Sequence, residues 1–168
     1  MCIRDRLFSS LQVRFGFVDK HVLDLFAGSG ALGLEAASRG AAEVVLVESD
    51  PEAAKIIEYN AGVVKHPNVH IHQMKASTYV ASAPKKHFDM VLADPPYELA
   101  DEAVAEMVEA LKPALADGAV VVVERHRESP ETAWPAEFTP TGQKLKRRIY
   151  GIARMDMAVY ADPEAEDN

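Results

Sequence analysis

Short apolar segments alternate with helical patterns along most of the chain, and this alternation restricts the folds that the chain can adopt. Five segments of five or six residues are predicted as buried strands: 21–26, 43–47, 69–73, 88–93 and 119–124. Strands that are apolar on both faces are typical of parallel sheets that helices cover on both sides. The alternation therefore predicts a doubly wound α/β domain with a mostly parallel sheet.

Helical patterns fill the segments between the strands. Residues 31–39 form the first, and Asp50 and Pro51 begin a second, as N-cap and first helical residue. We expect this second helix to end near Asn60 and to bury four apolar residues against the sheet, namely Ala53, Ala54, Ile56 and Ile57. Apolar residues at helical spacing predict a third helix over residues 99–115, which Asp117 and Gly118 separate from the fifth strand.

The end of the chain departs from the alternating pattern. Residues 127–143 are rich in Pro, Glu and Thr and are predicted to form a loop. Residues 144–150 and 153–160, on either side of Gly151, are predicted to form an antiparallel hairpin at one edge of the sheet. With these strands the chain forms one domain over residues 1–160.

Length and composition exclude several classes of protein. A chain of 168 residues has the size of one domain, and its apolar runs are far too short to cross a bilayer. Cys2 is the single cysteine, which excludes internal disulfides and multi-cysteine zinc sites. We therefore expect a cytoplasmic protein. Because His66, His70 and His72 do not form a convincing set of ligands, we expect no metal site.

The net charge of −8 does not decide whether the partner is a nucleic acid. Residues 161–168 carry four acidic residues and no base, so residues 1–160 carry only −4. We predict that this acidic tail is disordered. Four clustered basic residues in the predicted hairpin are the best candidates for contacts to nucleic-acid phosphates, with a charged hairpin rim as the alternative. They are Lys144, Lys146, Arg147 and Arg148.

The first six residues, MCIRDR, resemble a translated adapter from DNA library preparation. We expect residues 1–6 to be non-native and the native start to be missing. The alternative is a genuine helix start that runs into Leu7 and Phe8.

Polar residues follow three of the predicted strands at the point where each strand ends. The first strand runs into residues 24–30 (DLFAGSG), the second into Glu48 and Ser49, and the fourth into residues 94–97 (DPPY). In doubly wound sheets ligands bind beyond the carboxyl ends of the strands, where the strand order reverses. We therefore expect the first and fourth strands to be neighbours, so that these residues share one crevice.

Three glycines after the first strand, Gly28, Gly30 and Gly33, fit the spacing GxGxxG. Gly28 and Gly30 permit a tight turn and close approach of a ligand, and Gly33 permits close packing of the helix against the strand. Glu48 lies 18 residues after Gly30, at a strand end where its carboxylate can accept both hydroxyls of a ribose. The pattern predicts a cofactor that contains a nucleoside.

The glycine pattern does not distinguish a dinucleotide from S-adenosylmethionine, and two features favour the latter. Asp24 places a carboxylate just before the loop, which is unfavourable beside a pyrophosphate but suits a cationic amino-acid group. A structural cap on the glycine loop is the alternative role of Asp24. The DPPY segment at residues 94–97 has no use in hydride transfer. Ala76 and Ser77 are candidates for contact with the adenine, although Ser77 could instead cap a helix.

Residues 24–41 (DLFAGSGALGLEAASRGA), together with Glu48 and residues 94–97, resemble the RsmD family of bacterial methyltransferases. Members of that family methylate the exocyclic N2 amine of a guanine in small-subunit (16S) ribosomal RNA. The similarity extends from about Leu7 to Gly151. It implies the class I fold of S-adenosylmethionine-dependent methyltransferases, a doubly wound sheet with a C-terminal antiparallel hairpin. The residues expected to form the cofactor site are Asp24, Phe26, Ala27, Gly28, Ser29, Gly30, Glu48, Ser49, Ala76 and Ser77.

The DPPY segment is expected to hold the target amine. The Asp94 carboxylate and the backbone carbonyl of Pro95 are expected to accept hydrogen bonds from the amine N–H groups, while Pro95 and Pro96 stiffen the loop. Tyr97 is expected to stack on or flank the base; as an alternative, it only closes the crevice.

The resemblance also implies ribosomal RNA as the partner, within the small subunit or an assembly intermediate, and a monomeric enzyme. Family members begin with a basic segment before the counterpart of Leu7, and this sequence has none, which puts RNA affinity in doubt. Other candidates are a methyltransferase for another planar amine, in DNA adenine or cytosine or protein glutamine, and an NAD-dependent oxidoreductase. A binding module without catalysis is a further candidate, although RNA binding alone does not require Asp24, Glu48 and Asp94.

Overall fold

The structure is a computed structural model that describes residues 3–141 and 153–165 of the chain. Helices and strands alternate through most of it. The helices are α1 Ile3–Arg14, α2 Ala31–Ser38, α3 Pro51–Val64, α4 Ala76–Ala81 and α5 Asp101–Leu111, with a 3₁₀ turn at Lys112–Ala114. The strands are β1 His21–Leu25, β2 Glu43–Val47, β3 Val69–His72, β4 Phe88–Ala93, β5 Leu115–His126, β6 Phe138–Pro140 and β7 Ala153–Tyr160. None of the described helices is both long and apolar enough to span a membrane.

Within the described residues, seven strands form one sheet in the order β3-β2-β1-β4-β5-β7-β6. Strands β1 to β5 run parallel, β7 is antiparallel to β5, and β6 is antiparallel to β7. The predicted α/β fold class, a doubly wound and mostly parallel sheet, is confirmed.

Helices cover both faces of the sheet, and side chains alternate between the two cores along each strand. Val44 and Leu46 of β2 pack in the core that α1, α2 and α3 cover, whereas Val45 and Val47 pack in the core beneath α4 and α5. This two-sided burial explains why the strands are apolar at nearly every position.

Helix α5 is shorter than predicted. The apolar spacing extends to residue 115, but the α-helix ends at Leu111 and a 3₁₀ turn follows. Pro113 has no backbone N–H with which to continue the helical hydrogen bonds, and this ends the α-helix.

Strand β5 begins at Leu115, four residues earlier than predicted. Asp117 and Gly118 lie inside the strand, so the prediction that they separate it from the helix is wrong. The register between β4 and β5 shifts between Phe88 and Met90, and Gly118 has a φ of 83°. A bulge of this kind takes up extra residues without ending the strand.

Helix α3 continues to Val64, beyond the predicted end at Asn60. Lys65 closes the helix in the left-handed conformation, and its N–H donates to the Ala61 carbonyl. Ile56, which the sequence predicts to be buried, is 50% exposed because it lies off the narrow buried face of the helix.

The C-terminal region differs partly from the prediction. The short strand β6 lies within the predicted loop, where it pairs with β7. Strand β7 confirms the second strand of the predicted hairpin, whereas residues 144–150 lie outside the described residues. Residues 161–165, assigned above to a disordered tail, make defined contacts: the Ala161 N–H donates to the Glu137 carbonyl, and Asp162 pairs with Lys86 at 3.3 Å.

Candidate functional site

The candidate site lies at the carboxyl ends of the strands, where the direction of the chain across the sheet reverses. The chain passes from β1 outward to β3 and then returns to β4 on the other side of β1. Leu25 of β1 lies opposite Ala93 of β4, and the Asp94 N–H donates to the Leu25 carbonyl at 3.3 Å. The prediction that the first and fourth strands are neighbours is confirmed, and their ends enclose the crevice typical of such sheets.

The loop after β1 turns sharply because three of its residues have a left-handed backbone. The φ angles are 58° at Phe26, 60° at Gly28 and 82° at Gly30. Glycine adopts this conformation without strain, whereas a bulky residue such as Phe26 does not. The conformation of Phe26 ends β1 one residue earlier than predicted, and the Ala27 N–H is held by the Val47 carbonyl of β2 at 3.0 Å.

Gly33 allows helix α2 to pack directly on the strands. A Cβ atom at this position would lie 2.9 Å from Cδ2 of Leu46 and 3.0 Å from Oδ2 of Asp24. The Gly33 N–H donates to the same Asp24 oxygen at 2.9 Å. The close packing expected of the third glycine is therefore present, and Asp24 binds the first turn of the helix.

Asp24 is only 1% exposed, so its charged form is poorly solvated. Burial raises the pKa of Asp24 to about 7; the Gly33 hydrogen bond opposes this, and the negative charge of Asp94 adds to it. Asp24 thus combines the structural contact to Gly33 with a charge that a nearby cation would stabilise.

Glu48 holds the glycine loop against the end of β2. Its Oε1 accepts the Gly28 N–H at 2.8 Å, and its Oε2 accepts the Asp50 N–H at 2.9 Å. Each carboxylate oxygen has two lone pairs, so each can still accept a hydrogen bond from a ligand hydroxyl. The two backbone contacts fix the plane of the carboxylate, and therefore the direction from which its oxygens would accept hydrogen bonds from a ligand.

The DPPY segment forms a stiff turn after β4. Pro95 is buried, Pro96 is exposed, and the Pro96 carbonyl accepts the Leu99 N–H at 3.0 Å. Tyr97 is 38% exposed, and its ring meets His126 edge-on at 5.4 Å between centroids. The tyrosine ring is thus partly accessible to solvent.

Asp94 faces the glycine loop across a small cavity of about 60 Å³. The lining includes Asp24, Ala27, Gly28, Ser29 and Asp94 from the predicted site, together with Arg4 of α1. The positive charge of Arg4 lowers the pKa of Asp24. No role was expected of Arg4, because residues 1–6 resemble an adapter.

Glu124 is a site residue that the sequence reasoning missed. It follows Val123 of β5, which lies opposite Ala93, and its carboxyl group is hydrogen-bonded to Asp94. Burial, and then this contact with Asp94, raises the pKa of Glu124 well above its ordinary value. Glu124 could have been found in the sequence as a carboxylate that directly follows the apolar run AVVVV, since the ends of parallel strands lie at the same edge of the sheet as Asp94.

A larger cavity of about 490 Å³ adjoins the glycine loop on the other side of Phe26. Its lining includes four predicted cofactor residues, Phe26, Ser49, Ala76 and Ser77. Met107 of α5 also lines it. The cavity therefore lies between the ends of β1, β2 and β3 and helix α5, which follows the DPPY segment in the chain. Lys144, Lys146, Arg147 and Arg148 lie outside the described residues.

The family model described as "Conserved hypothetical protein 95" matches residues 2–159 of this chain. Over 149 residues the chain is 32% identical to ribosomal RNA small subunit methyltransferase D of Escherichia coli K12. The alignment covers 88% of this chain and 73% of that protein.

Solved structures agree with this match. The YhhF protein of Escherichia coli superimposes with a TM-score of 0.81 at 30% identity, over 95% of this chain and 86% of that one. A magnesium protoporphyrin IX methyltransferase of Synechocystis, solved with bound S-adenosylmethionine, superimposes with a TM-score of 0.73 over 94% of this chain and 78% of that one. At 16% identity this second likeness concerns the fold alone, which is that of class I S-adenosylmethionine-dependent methyltransferases. The chain belongs to the family of ribosomal RNA small subunit methyltransferase D, as its glycine loop and DPPY segment predicted.

Proposed function

We propose that this protein transfers a methyl group from S-adenosylmethionine to the exocyclic N2 amine of a guanine in small-subunit (16S) ribosomal RNA. One observation supports this proposal above the others. The sheet brings the DPPY carboxylate, Asp94, to the glycine loop, so that one cavity is lined by Asp94, Asp24 and Gly28. A nucleoside cofactor and a planar amine can meet at such a position.

The residues present fit the cofactor. A Cβ atom on Gly28 would meet nothing within 4 Å, so the space above the loop is open to a ligand. We assign the adenine to the larger cavity beside Phe26, Ala76 and Ser77, and the ribose hydroxyls to Glu48. Asp24 receives the cationic amino-acid group, whose positive charge favours the ionised carboxylate. Bound there, S-adenosylmethionine supplies an electrophilic methyl group on a sulfonium.

The Asp94 carboxylate and the Pro95 carbonyl orient the target amine. An exocyclic amine on a ring is a poor nucleophile because its lone pair is delocalised. Two acceptors aimed at its N–H groups favour a pyramidal nitrogen, whose lone pair is then available to the methyl carbon. As the N–C bond formed and the bond between the methyl carbon and the sulfonium sulfur broke, leaving S-adenosylhomocysteine, positive charge would develop on the nitrogen beside Asp94, and one N–H proton would be released toward that carboxylate. Pro95 and Pro96 hold the acceptors still, and Tyr97 flanks the base.

Glu124 acts on Asp94 rather than on the substrate. In its protonated form Glu124 donates a hydrogen bond to the Asp94 carboxylate, which orients Asp94 toward the amine. Two adjacent carboxyl groups that share one proton avoid the repulsion of two charges. We assign Glu124 as a positioning residue.

The substrate side of the proposal rests on family membership. We assign phosphate contacts to Lys144, Lys146, Arg147 and Arg148, and we propose that a monomer acts in the cytoplasm on the small subunit or an assembly intermediate. The DPPY segment serves any planar amine, so adenine or cytosine in DNA and the amide of protein glutamine are the alternative acceptors. An NAD-dependent oxidoreductase is the alternative of another class.

Thermal unfolding with S-adenosylmethionine, S-adenosylhomocysteine and NAD in parallel tests the cofactor. A ligand at 100 times its dissociation constant stabilises the fold by about 2.7 kcal/mol, which corresponds to several degrees in a domain of this size. We expect the shift with both adenosyl compounds, its loss in Glu48→Ala, and its retention in the control Glu52→Ala on the exposed start of α3. A shift with NAD alone contradicts the proposal.

Transfer of a labelled methyl group then identifies the acceptor. The substrates are naked small-subunit RNA, the assembled subunit, a DNA duplex and a glutamine peptide. We expect label in N2-methylguanine from one or both RNA substrates. Label in the DNA or the peptide alone overturns the guanine assignment and leaves the cofactor assignment intact.

A further inference from the structure

A cluster of two histidines and a glutamate lies at the opposite edge of the sheet, where the strands begin. His21 is the first residue of β1, Glu43 is the first residue of β2, and His87 immediately precedes β4. β1 lies between β2 and β4, and His21 is paired in register with Glu43. None of these residues belongs to the candidate methyltransferase site.

The cluster presents donor atoms at distances that suit a metal ion. One ligand atom from each of His21, Glu43 and His87 lies within 4.8 Å of the other two. Nδ1 of His21 is 3.6 Å from Oε1 of Glu43, close to the spacing of about 3.3 Å between neighbouring ligands of a tetrahedral zinc ion. Nε2 of His87 is 2.6 Å from the same oxygen, a hydrogen bond that a metal ion would replace.

A second observation points to a missing partner. Nδ1 of His21 is buried and has no hydrogen-bond partner among the described residues. Buried polar atoms are nearly always paired, and those that are not have a specific cause such as an ion. The backbone N–H of His21 donates to Asp89 at 2.9 Å, which fixes the start of the strand from which this imidazole extends.

The charge of the cluster also suits a cation. Burial alone would raise the pKa of Glu43, but the hydrogen bond and the charge of His87 hold it below its usual range. His70 of β3 adds a further imidazole, with Nε2 at 3.9 Å from Oε2 of Glu43.

We propose that His21, Glu43 and His87 bind a divalent transition metal ion of the zinc class, through two imidazole nitrogens and one carboxylate oxygen. Such donor sets bind Zn²⁺ in proteins with a fourth position left for water or another ligand. Bound there, the ion joins the starts of three neighbouring strands. This set of ligands differs from His66, His70 and His72, because two of its residues begin the strands β1 and β2 and the third immediately precedes β4.

Zinc binding to the chelator-treated protein tests the proposal, in a Cys2→Ser background that removes the thiol. Calorimetry with ZnCl₂ is expected to give one site per chain, and thermal unfolding is expected to show a higher Tm with Zn²⁺. Glu43→Gln and His87→Gln are expected to weaken binding at least tenfold and to abolish the Tm shift. His66→Gln, which changes a histidine outside the cluster, is expected to bind as the parent does.

The visible absorption of bound Co²⁺ measures metal binding without depending on the stability of the protein. We expect Co²⁺ to give the visible absorption of a bound low-symmetry site in the parent protein and not in Glu43→Gln. Variants that retain the metal-free Tm and the shift with S-adenosylmethionine are folded, so their loss of metal binding is specific. No Zn²⁺-dependent shift in the parent, or an equal shift in Glu43→Gln, overturns the proposal. Neither result affects the proposed methyltransferase function.

Discussion

At the scale of single residues, the candidate site contains four carboxyl groups whose environments differ. Asp24 is fully buried beneath the glycine loop, Glu48 accepts two backbone N–H groups, and Asp94 and Glu124 are hydrogen-bonded to each other. Burial raises the pKa of Asp24 and of Glu124, and the neighbouring Asp94 carboxylate adds to both shifts, so a cation at the site stabilises the ionised forms of these two groups. The sulfonium and the ammonium group of the proposed cofactor are such cations.

Asp94→Asn separates cofactor binding from methyl transfer. The amide keeps the shape of the side chain but loses the charge that meets the developing cation on the amine, and loss of one such group reduces turnover by about 10²–10³. We expect that reduction in single-turnover methylation, with the Tm shift by S-adenosylmethionine retained. Glu98→Gln, on the exposed surface next to the DPPY segment, is the control and should retain full activity. Equal turnover in Asp94→Asn and the parent contradicts the assigned role.

Asp24 makes stability depend on pH. Its folded pKa of about 7 lies above the ordinary value of 3.8, so between these values the unfolded chain loses a proton that the folded chain keeps. The contribution of protonated Asp24 to the free energy of unfolding is therefore fully present below about pH 4. It is lost as the pH rises to 7, by at most about 1.4 kcal/mol per pH unit. Asp24→Asn removes this slope and can still accept the Gly33 N–H.

Urea unfolding of the apo protein at pH 5, 6 and 7 measures the effect of Asp24. At each increase in pH, the free energy of unfolding of Asp24→Asn is expected to rise relative to that of the parent protein. Asp19→Asn, an exposed substitution at a left-handed position that asparagine tolerates, should follow the parent. Parallel curves for Asp24→Asn and the parent would show that Asp24 is ionised throughout the range.

At the scale of the elements, glycines have different roles according to what their helices pack against. Helix α2 approaches the strands so closely that a methyl group on Gly33 would overlap Leu46 and Asp24. Helix α3 carries Gly62, where a methyl group would meet nothing within 4 Å. The same substitution therefore has opposite expected effects in the two helices.

Gly33→Ala is expected to destabilise the fold by about 1–3 kcal/mol, since overpacking of a buried contact costs that amount. Gly62→Ala is expected to stabilise it by about 0.5–1 kcal/mol, because alanine loses less backbone entropy in a helix. Denaturant unfolding of both variants measures the difference, and binding of S-adenosylmethionine should weaken in Gly33→Ala alone. A Gly33→Ala variant as stable as the parent would mean that Leu46 moves aside freely.

At the scale of the whole molecule, a buried ionic network ties the last strand to the chain that follows β5. Arg154 and Asp156 of β7 are 5% and 6% exposed, and they pair at 2.7 Å. Arg154 also donates to the carbonyls of Ser129 and Pro130, and Asp156 accepts the N–H and the hydroxyl of Thr132. The network joins residues that lie more than 20 positions apart in the sequence.

Asp156→Ala leaves the Arg154 charge buried without its partner, and breaking a buried pair in this way costs about 3–5 kcal/mol. The double variant Arg154→Leu with Asp156→Leu removes both charges and is expected to lose less stability than the sum of the two single leucine substitutions. Chemical denaturation of the three leucine variants gives the coupling energy. Additive losses would contradict a direct contribution of the pair.

The sequence by itself determined the order of most elements, the glycine loop and the DPPY segment. These follow from apolar periodicity, N-cap chemistry and glycine spacing, which act between residues that are near in the chain. Where local signals conflict, boundaries were misplaced: Asp117 and Gly118 resemble a strand break, but the bulge of β5 absorbs them.

Only the tertiary structure decided which distant residues meet. The pairing of β4 with β5 brings Glu124 to Asp94, and the pairing of β1 with β2 brings His21 to Glu43. The raised pKa of Asp24 also depends on helix α2 covering a carboxylate that the sequence shows only as part of a strand. Strand order and register are set by the burial of both faces of the sheet at once. This burial depends on residues from the whole chain, so no short segment of the sequence can determine it.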